Sequence, residues 1–386
     1  MFSTQSVEVS LGVPCRTLAA VRADRDDNYF LVGSCSVQQP NTLQVVRFHI
    51  EMNDLSITAS IPHETGPVGV IATSPCDPLQ VLTAVEQEST AVLWKMPANS
   101  QESTDNIEDD NDGYNSDRSG TMEMEQLTRL ENHEGSAVAS MAWRDSSEDM
   151  SPSTGDVAIA DGNARVTRWD LSGGAGQLVR SHEGSPTSLL QAPRVVWDPH
   201  GNGDALAVSR AGEVHILDWR TDTSVPNGNV ESFLAHRLGL CDMDYNPNKP
   251  YVLATAGRDG LLKFWDLRAA KHPLLVSRGG HSHWVSQIKY NPFHDQLVLT
   301  TGTDSISNLW RISTISSAPL LTMHDDDDKL SETSAANVRV SRHEHSEAVY
   351  GASWGAADAW IYACVGYDGK FVLNHVPSKE KYKILL

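Results

Sequence analysis

Several residues in this chain sit at spacings that invite chemistry. His281-Ser282-His283 and His343-Glu344-His345 each offer two imidazoles to a metal ion. Residues 108–119, EDDNDGYNSDRS, have the outline of a calcium loop, with Asp110, Asp112 and Gly113 in the third, fifth and sixth places. Trp265-Asp266-Leu267-Arg268 ends in a guanidinium fork suited to a carboxylate. The metal chemistries fall short on composition. The loop opens on Glu108 and closes on Ser119, where a bidentate Glu is needed to complete the oxygen shell. No Cys or carboxylate set completes a tetrahedral site around either histidine pair. No G-x-S-x-G elbow, phosphate loop or dinucleotide fingerprint is present, and the GGAG at 173–176 reads as a turn. The expectation is a protein without cofactor or metal, and not an enzyme.

The same residues carry a second message. His236, Asp259 and Trp265 return 45 positions later as His281, Asp304 and Trp310, and a further 64 positions on stand His345, Asp368 and Asn374. A repeated unit is implied, with 19 extra residues (64 minus 45) in its last copy. A period near 45 with Trp-Asp late in the unit marks a four-stranded propeller blade. The elements that must position these residues are short strands between turns. After His236 these are LCDMDYNP, YVLATAG, the turn Arg258-Asp259-Gly260, and LLKFWDL. Ten residues before the Trp position stand Thr255, Thr300 and Cys364, and six before it Asp259, Asp304 and Asp368. This resembles the WD-repeat family, whose blades tie His, Asp, Ser/Thr and Trp together by hydrogen bonds, so that the buried polar groups satisfy one another. Cys364 and Asn374 depart from that pattern and imply a weaker network in blade seven.

The same count applied upstream pairs Trp219 with Ser209 and Glu213, Trp169 with Ile159 and Asn163 after His133, and Trp94 with Ala84 and Glu88 after His63. Residues 16–50 read as a first blade without a Trp. The expected fold is all-β: one seven-bladed WD-repeat β-propeller over 1–386 with two acidic disordered loop insertions. Its blades lie at approximately 14–58, 59–97, 127–177, 178–230, 231–277, 278–321 and 338–386, with the insertions at 98–126 and 322–337. Two segments compete to close the ring: VEVSLGV (7–13) and KYKILL (381–386).

The formal net charge is −20 over 386 residues. Residues 101–125 hold nine acids and one base, and residues 322–334 five acids and one base. Both stretches read as loops between a blade's third and outer strands, leaving the face opposite the histidines, and their composition implies disorder when free. Asp325–Lys329 spells a protease tag, DDDDK, but its place in the insertion marks it as a native acidic loop. Such a surface argues against a nucleic-acid backbone as partner and against attraction to an anionic leaflet. No apolar run approaches the length of a membrane span, and MFSTQSVEVSLGVP lacks a signal-peptide plan. Cys15, Cys35, Cys76, Cys241 and Cys364 are odd in number and scattered, as for reduced thiols in the cytosol.

Two resemblances bear on partners. Trp265–Arg268 resembles the WDxR box by which some WD-repeat proteins dock on the adaptor of a cullin-RING ubiquitin ligase, with Arg268 as the contact. The C-terminal third is more distinctive. EHSEAVYGASW, YDGKFVLNHVP, KYKILL, HSHW (281–284), HDQLVL (294–299) and the Asp325–Asp328 run are similar to the WD-repeat family that binds the EARP and GARP vesicle-tethering complexes. That resemblance implies a non-enzymatic adaptor or scaffold that binds tether subunits and supports retrograde and recycling traffic. It implies a cytoplasmic location, peripheral at the trans-Golgi network and recycling endosomes, without membrane insertion. The contact residues expected on the histidine face are His283, Trp284, Arg237 and Glu347, because Trp and Arg are favoured interface anchors and all four follow structural histidines.

Overall fold

In the computed structural model, the described residues are 6–63, 65–101, 122–131, 136–145, 155–184, 192–200, 204–220, 231–318 and 337–385. They form seven four-stranded antiparallel sheets, each a blade. Blade one takes Cys15–Ala20, Asn28–Ser34, Thr42–His49 and Asp54–Pro62. Blade five takes Leu240–Tyr245, Val252–Gly257, Leu262–Asp266 and Leu275–Ser277, and blade six Val285–Tyr290, Leu297–Gly302, Ile306–Ile312 and Asn337–Glu344. Second strands such as Val252–Gly257 and Ile361–Gly366 are buried along their whole length, because both faces of a blade pack on neighbours. Continuous apolar runs follow from that two-sided burial. Seven buried clusters result, each shared by two adjacent blades, from the seam of blades seven and one to that of six and seven.

The inner strands carry a second cement. In blade five, Asp242 accepts from the Ile288 amide at 3.1 Å and Asp244 from the Tyr290 amide at 2.8 Å, both on blade six. Gln287 of blade six accepts from the Ala352 amide of blade seven at 2.7 Å, and Ser353 of blade seven from the Ala20 amide of blade one at 3.1 Å. The Trp197 and Trp354 indoles donate to the Ala142 and Lys289 carbonyls of the preceding blades. Side chains of the inner strands thus cap backbone groups of neighbouring blades that face the channel and have no ladder partner. Six inner strands also shift register by one residue near their start, for example between Leu240 and Asp242. Such bulges add local twist.

The ring closes through the N-terminal segment. Val7–Ser10 pairs antiparallel with Lys370–His375, Val9 opposite Phe371, and becomes the outer strand of blade seven. KYKILL is not a strand: Ser378–Leu385 is a helix, α1. Lys, Glu and Leu are strong helix formers, and Pro377 precedes the first turn. Its Glu380 is buried against Arg311 of blade six and also meets Lys383 at 2.8 Å. The Asp turns repeat one backbone feature. Gly260, Ser305 and Gly369 all have φ between 62° and 71°, so Ser305 occupies a left-handed position where blades five and seven have glycine.

Candidate interaction faces

The repeat residues converge on hydrogen-bond chains. In blade five the Trp265 indole donates to the Thr255 hydroxyl at 2.9 Å, that hydroxyl meets His236 Nε2 at 2.9 Å, and His236 Nδ1 meets the Asp259 carboxylate at 2.9 Å. Blade six repeats the chain through Trp310, Thr300, His281 and Asp304, at 2.9, 2.9 and 3.0 Å. One proton direction satisfies all four groups: indole to hydroxyl, hydroxyl to Nε2, Nδ1–H to carboxylate. Burial holds His236 below the usual imidazole range, against the pull of Asp259. For Asp259 and Asp304, burial pushes the carboxyl up, but the histidine hydrogen bond and neighbouring groups bring it net below the usual range. His281 therefore spends both nitrogens within its blade. Among the described residues no group of three or more His, Cys, Asp or Glu could hold a metal.

Counting by fixed offset missed three features. In blade two the hydroxyl belongs to Thr83, which meets both Trp94 Nε1 and His63 Nε2 at 2.9 Å, in place of Ala84. In blade four Leu217 pairs with Leu206, as Trp265 does with Leu253, so Trp219 lies just beyond its strand and is not the repeat tryptophan. Trp169 of blade three takes its hydroxyl from Thr167 on the same strand. His133, the acidic run 108–119 and Asp325–Lys329 lie outside the described residues.

Blade seven differs. His345 turns to the Ser307 hydroxyl of blade six at 3.1 Å, while Asp368 accepts from Ser346. Burial, then the nearby His343, pushes His345 down from 6.5 to about 4, against Asp368. The depressed value means the unfolded chain takes the proton first. The stabilisation is complete above pH 6.5 and is lost as pH falls to about 4. His345→Gln should flatten the decline in urea-unfolding free energy across that window by up to about 1.4 kcal/mol per pH unit. An unchanged slope would assign the acid sensitivity to other histidines.

On the histidine face, His283 is exposed, meets Thr303 at 2.6 Å and stacks on Trp284 at 5.2 Å. Trp284 is 40% exposed, with the Arg258 guanidinium 4.5 Å above its ring. Arg237 and Glu347 are also exposed. Arg16 lies over both Tyr350 and Tyr367 and pairs with Glu86 at 3.1 Å.

The opposite face holds the mouth of an axial cavity of about 570 Å³, lined by Arg22, Lys289, Asp244, Trp197 and Phe293 among others. Lys289 pairs with Asp242 at 3.0 Å, and burial pushes the Asp244 carboxyl up to about 7. Arg268 is also on this face, 64% exposed at its side chain, its fork closed on Asp266 at 2.9 and 2.7 Å. Blade four repeats the arrangement, Arg220 on Asp218 at 3.0 and 2.6 Å. Each hydrogen-bonded Asp is held below the usual carboxylate range by its arginine. Sequence reading overlooked Arg220, because Trp219 drew the register; the shared Asp-x-Arg spacing was the available signal.

The chain matches the family model described as the EIPR1 beta-propeller over residues 4–310. It is 32% identical over 392 residues to human EARP and GARP complex-interacting protein 1, covering 96% of each chain. Over 198 residues it is 33% identical to EARP-interacting protein 1 of Caenorhabditis elegans, covering 49% of this chain and 52% of that protein. The WD repeat-containing protein DWA2 of Arabidopsis thaliana is 26% identical over 381 residues, with 97% of each chain covered.

Proposed function

We propose, on the premise that this chain belongs to the EIPR1 beta-propeller family, that it is a non-enzymatic adaptor binding EARP/GARP-type tether subunits. Identity of 32% across 96% of both chains, to a relative whose name records interaction with those complexes, carries the reading. The geometry supports it. The polar groups that invited chemistry in blades five and six are spent on one another within their blades, and they frame the surface around them. In this reading the protein works in retrograde and recycling traffic, cytoplasmic and peripheral at the trans-Golgi network and recycling endosomes. Membrane attachment then comes through the tether; no helix among the described residues is long and apolar enough to cross a bilayer.

Affinity capture of the tagged chain under gentle extraction should recover tether subunits in near-equal amounts; their absence would remove this reading. The same experiment reads the alternative, a substrate receptor docked on a cullin-RING adaptor through Trp265–Arg268. The exposure of Arg268 and the second Asp-x-Arg in blade four favour a contact there. Its fork is already engaged by Asp266, leaving only its outer N–H edge. Adaptor recovered with the native chain and lost with Arg268→Ala, at unchanged melting temperature, would establish that docking.

A further inference from the structure

The face opposite the histidines carries a strip that the blade networks do not use. It starts on blade five, where the Arg268 guanidinium lies 5.1 Å over the Tyr251 ring. Tyr251 has φ 63° in its turn and is 50% exposed. Asn248, in the same turn, donates to the Phe293 carbonyl of blade six at 3.2 Å. Phe293 is 46% exposed, and its neighbour His294 stacks on Trp360 of blade seven at 4.4 Å. Lys381 of α1 stands 5.6 Å over the same indole, and Tyr382 beside it is 65% exposed. The buried Arg311–Glu380 pair fixes the helix under this end. Rings and cations thus follow one another across three blades through direct contacts rather than by proximity in sequence.

We propose that this strip docks an acidic amphipathic helix of a partner protein. Aromatic residues and arginine are the usual anchors of such interfaces, and apolar side chains exposed in a row mark interaction sites. Charge selects the occupant. The chain as a whole carries −20, yet the carboxylates along the strip are engaged: Asp266 by Arg268, Glu380 by Arg311 and Lys383, Asp295 by Asn246 and Ser317, and Asp358 by the Trp360 amide. Lys381 and the outer N–H edge of Arg268 are left to meet carboxylates, with the rings between them to meet an apolar stripe. An anionic membrane fits less well: a flat leaflet would meet the whole face and the net charge behind it, whereas a helix touches the strip alone. The inference deepens the adaptor reading and rests on it only for the partner's identity.

Two measurements on the full chain separate the possibilities. With purified EARP/GARP-type complex, Tyr251→Ala, Phe293→Ala and Tyr382→Ala should each weaken binding about 10- to 30-fold. Arg268→Glu with Lys381→Glu should abolish it, while Trp284→Ala stays within about threefold. Equal binding by all strip variants, at unchanged melting temperature, would overturn the assignment. If the native chain ignores the complex, the adaptor reading fails, and the strip is judged by a synthetic Glu/Leu amphipathic 18-residue helix. That peptide should change Trp360 fluorescence and slow exchange at Tyr251, Phe293 and Tyr382, where its Lys/Leu counterpart does not. No response to the acidic peptide, equal response to the basic one, tighter binding to phosphatidylserine vesicles, or self-association through these residues would each refute the proposal.

Discussion

Deleting residues 1–11 should lower stability by about 5 kcal/mol and turn the protein from monodisperse to aggregating. The segment supplies the outer strand of blade seven, pairing Val7 through Ser10 with Leu373 through Lys370. Leu11 is 5% exposed in the seam of blades seven and one, where Val7 and Val9 also pack, and its amide donates to the Gly369 carbonyl at 2.8 Å. Full burial of a leucine contributes about 2–3 kcal/mol and each half-buried valine about 1, before any loss of ladder hydrogen bonds. The deletion also bares the edge of Lys370–His375, a template for pairing with another chain. Calorimetry should show the melting temperature falling by roughly 10 °C, and gel filtration should show higher species. Leu11→Ala alone should cost about 2–3 kcal/mol without aggregation. A native melting profile for the truncated chain would mean that the ring is held by its seams and not by its clasp.

Thr255→Val should cost about 3 kcal/mol, although the two side chains have nearly the same shape. Thr255 is 0% exposed, and its hydroxyl accepts from Trp265 and meets His236. Valine leaves the indole N–H and the imidazole Nε2 buried without partners, each at about 1–3 kcal/mol. Adding Trp265→Phe removes one orphan, so the double variant should lose less than the sum of the two single ones. Strict additivity in urea denaturation would show that the chain of hydrogen bonds is not coupled.

The seven-bladed ring was legible because blades five and six keep His, Thr, Asp and Trp at matching separations, which only a repeated turn length allows. Where a turn changes length, counting fails. Thr83 lies eleven residues before Trp94, not ten, because the intervening turn, with Gln87 at φ 69°, holds one more residue. Trp219 misled for another reason: composition marks a tryptophan but not whether it lies within the strand or just past it. KYKILL has short apolar runs that suit a strand or a helix alike, and the choice is made by blade six, which offers Arg311 to Glu380. The exposed strip was invisible at sequence level. Its members lie in loops of blades five, six and seven and in the terminal helix, and no sequence period relates them.

The origin of the clasp also sets a clock for biogenesis. Glu8 and Lys370, which pair at 3.4 Å, are separated by 362 positions. At about 5–20 residues per second, a ribosome needs roughly 20–70 s between making the one and making the other. Throughout that interval Val7–Ser10 has left the exit tunnel without its partner strand, while the earlier blades can assemble against one another in order. The final seam is also the most non-local contact in the described ring, the kind that slows folding. A nascent ring of this design is an open crescent with a waiting strand, so its demand for chaperone shelter lasts until Lys370–His375 has been made and one last docking event seals it.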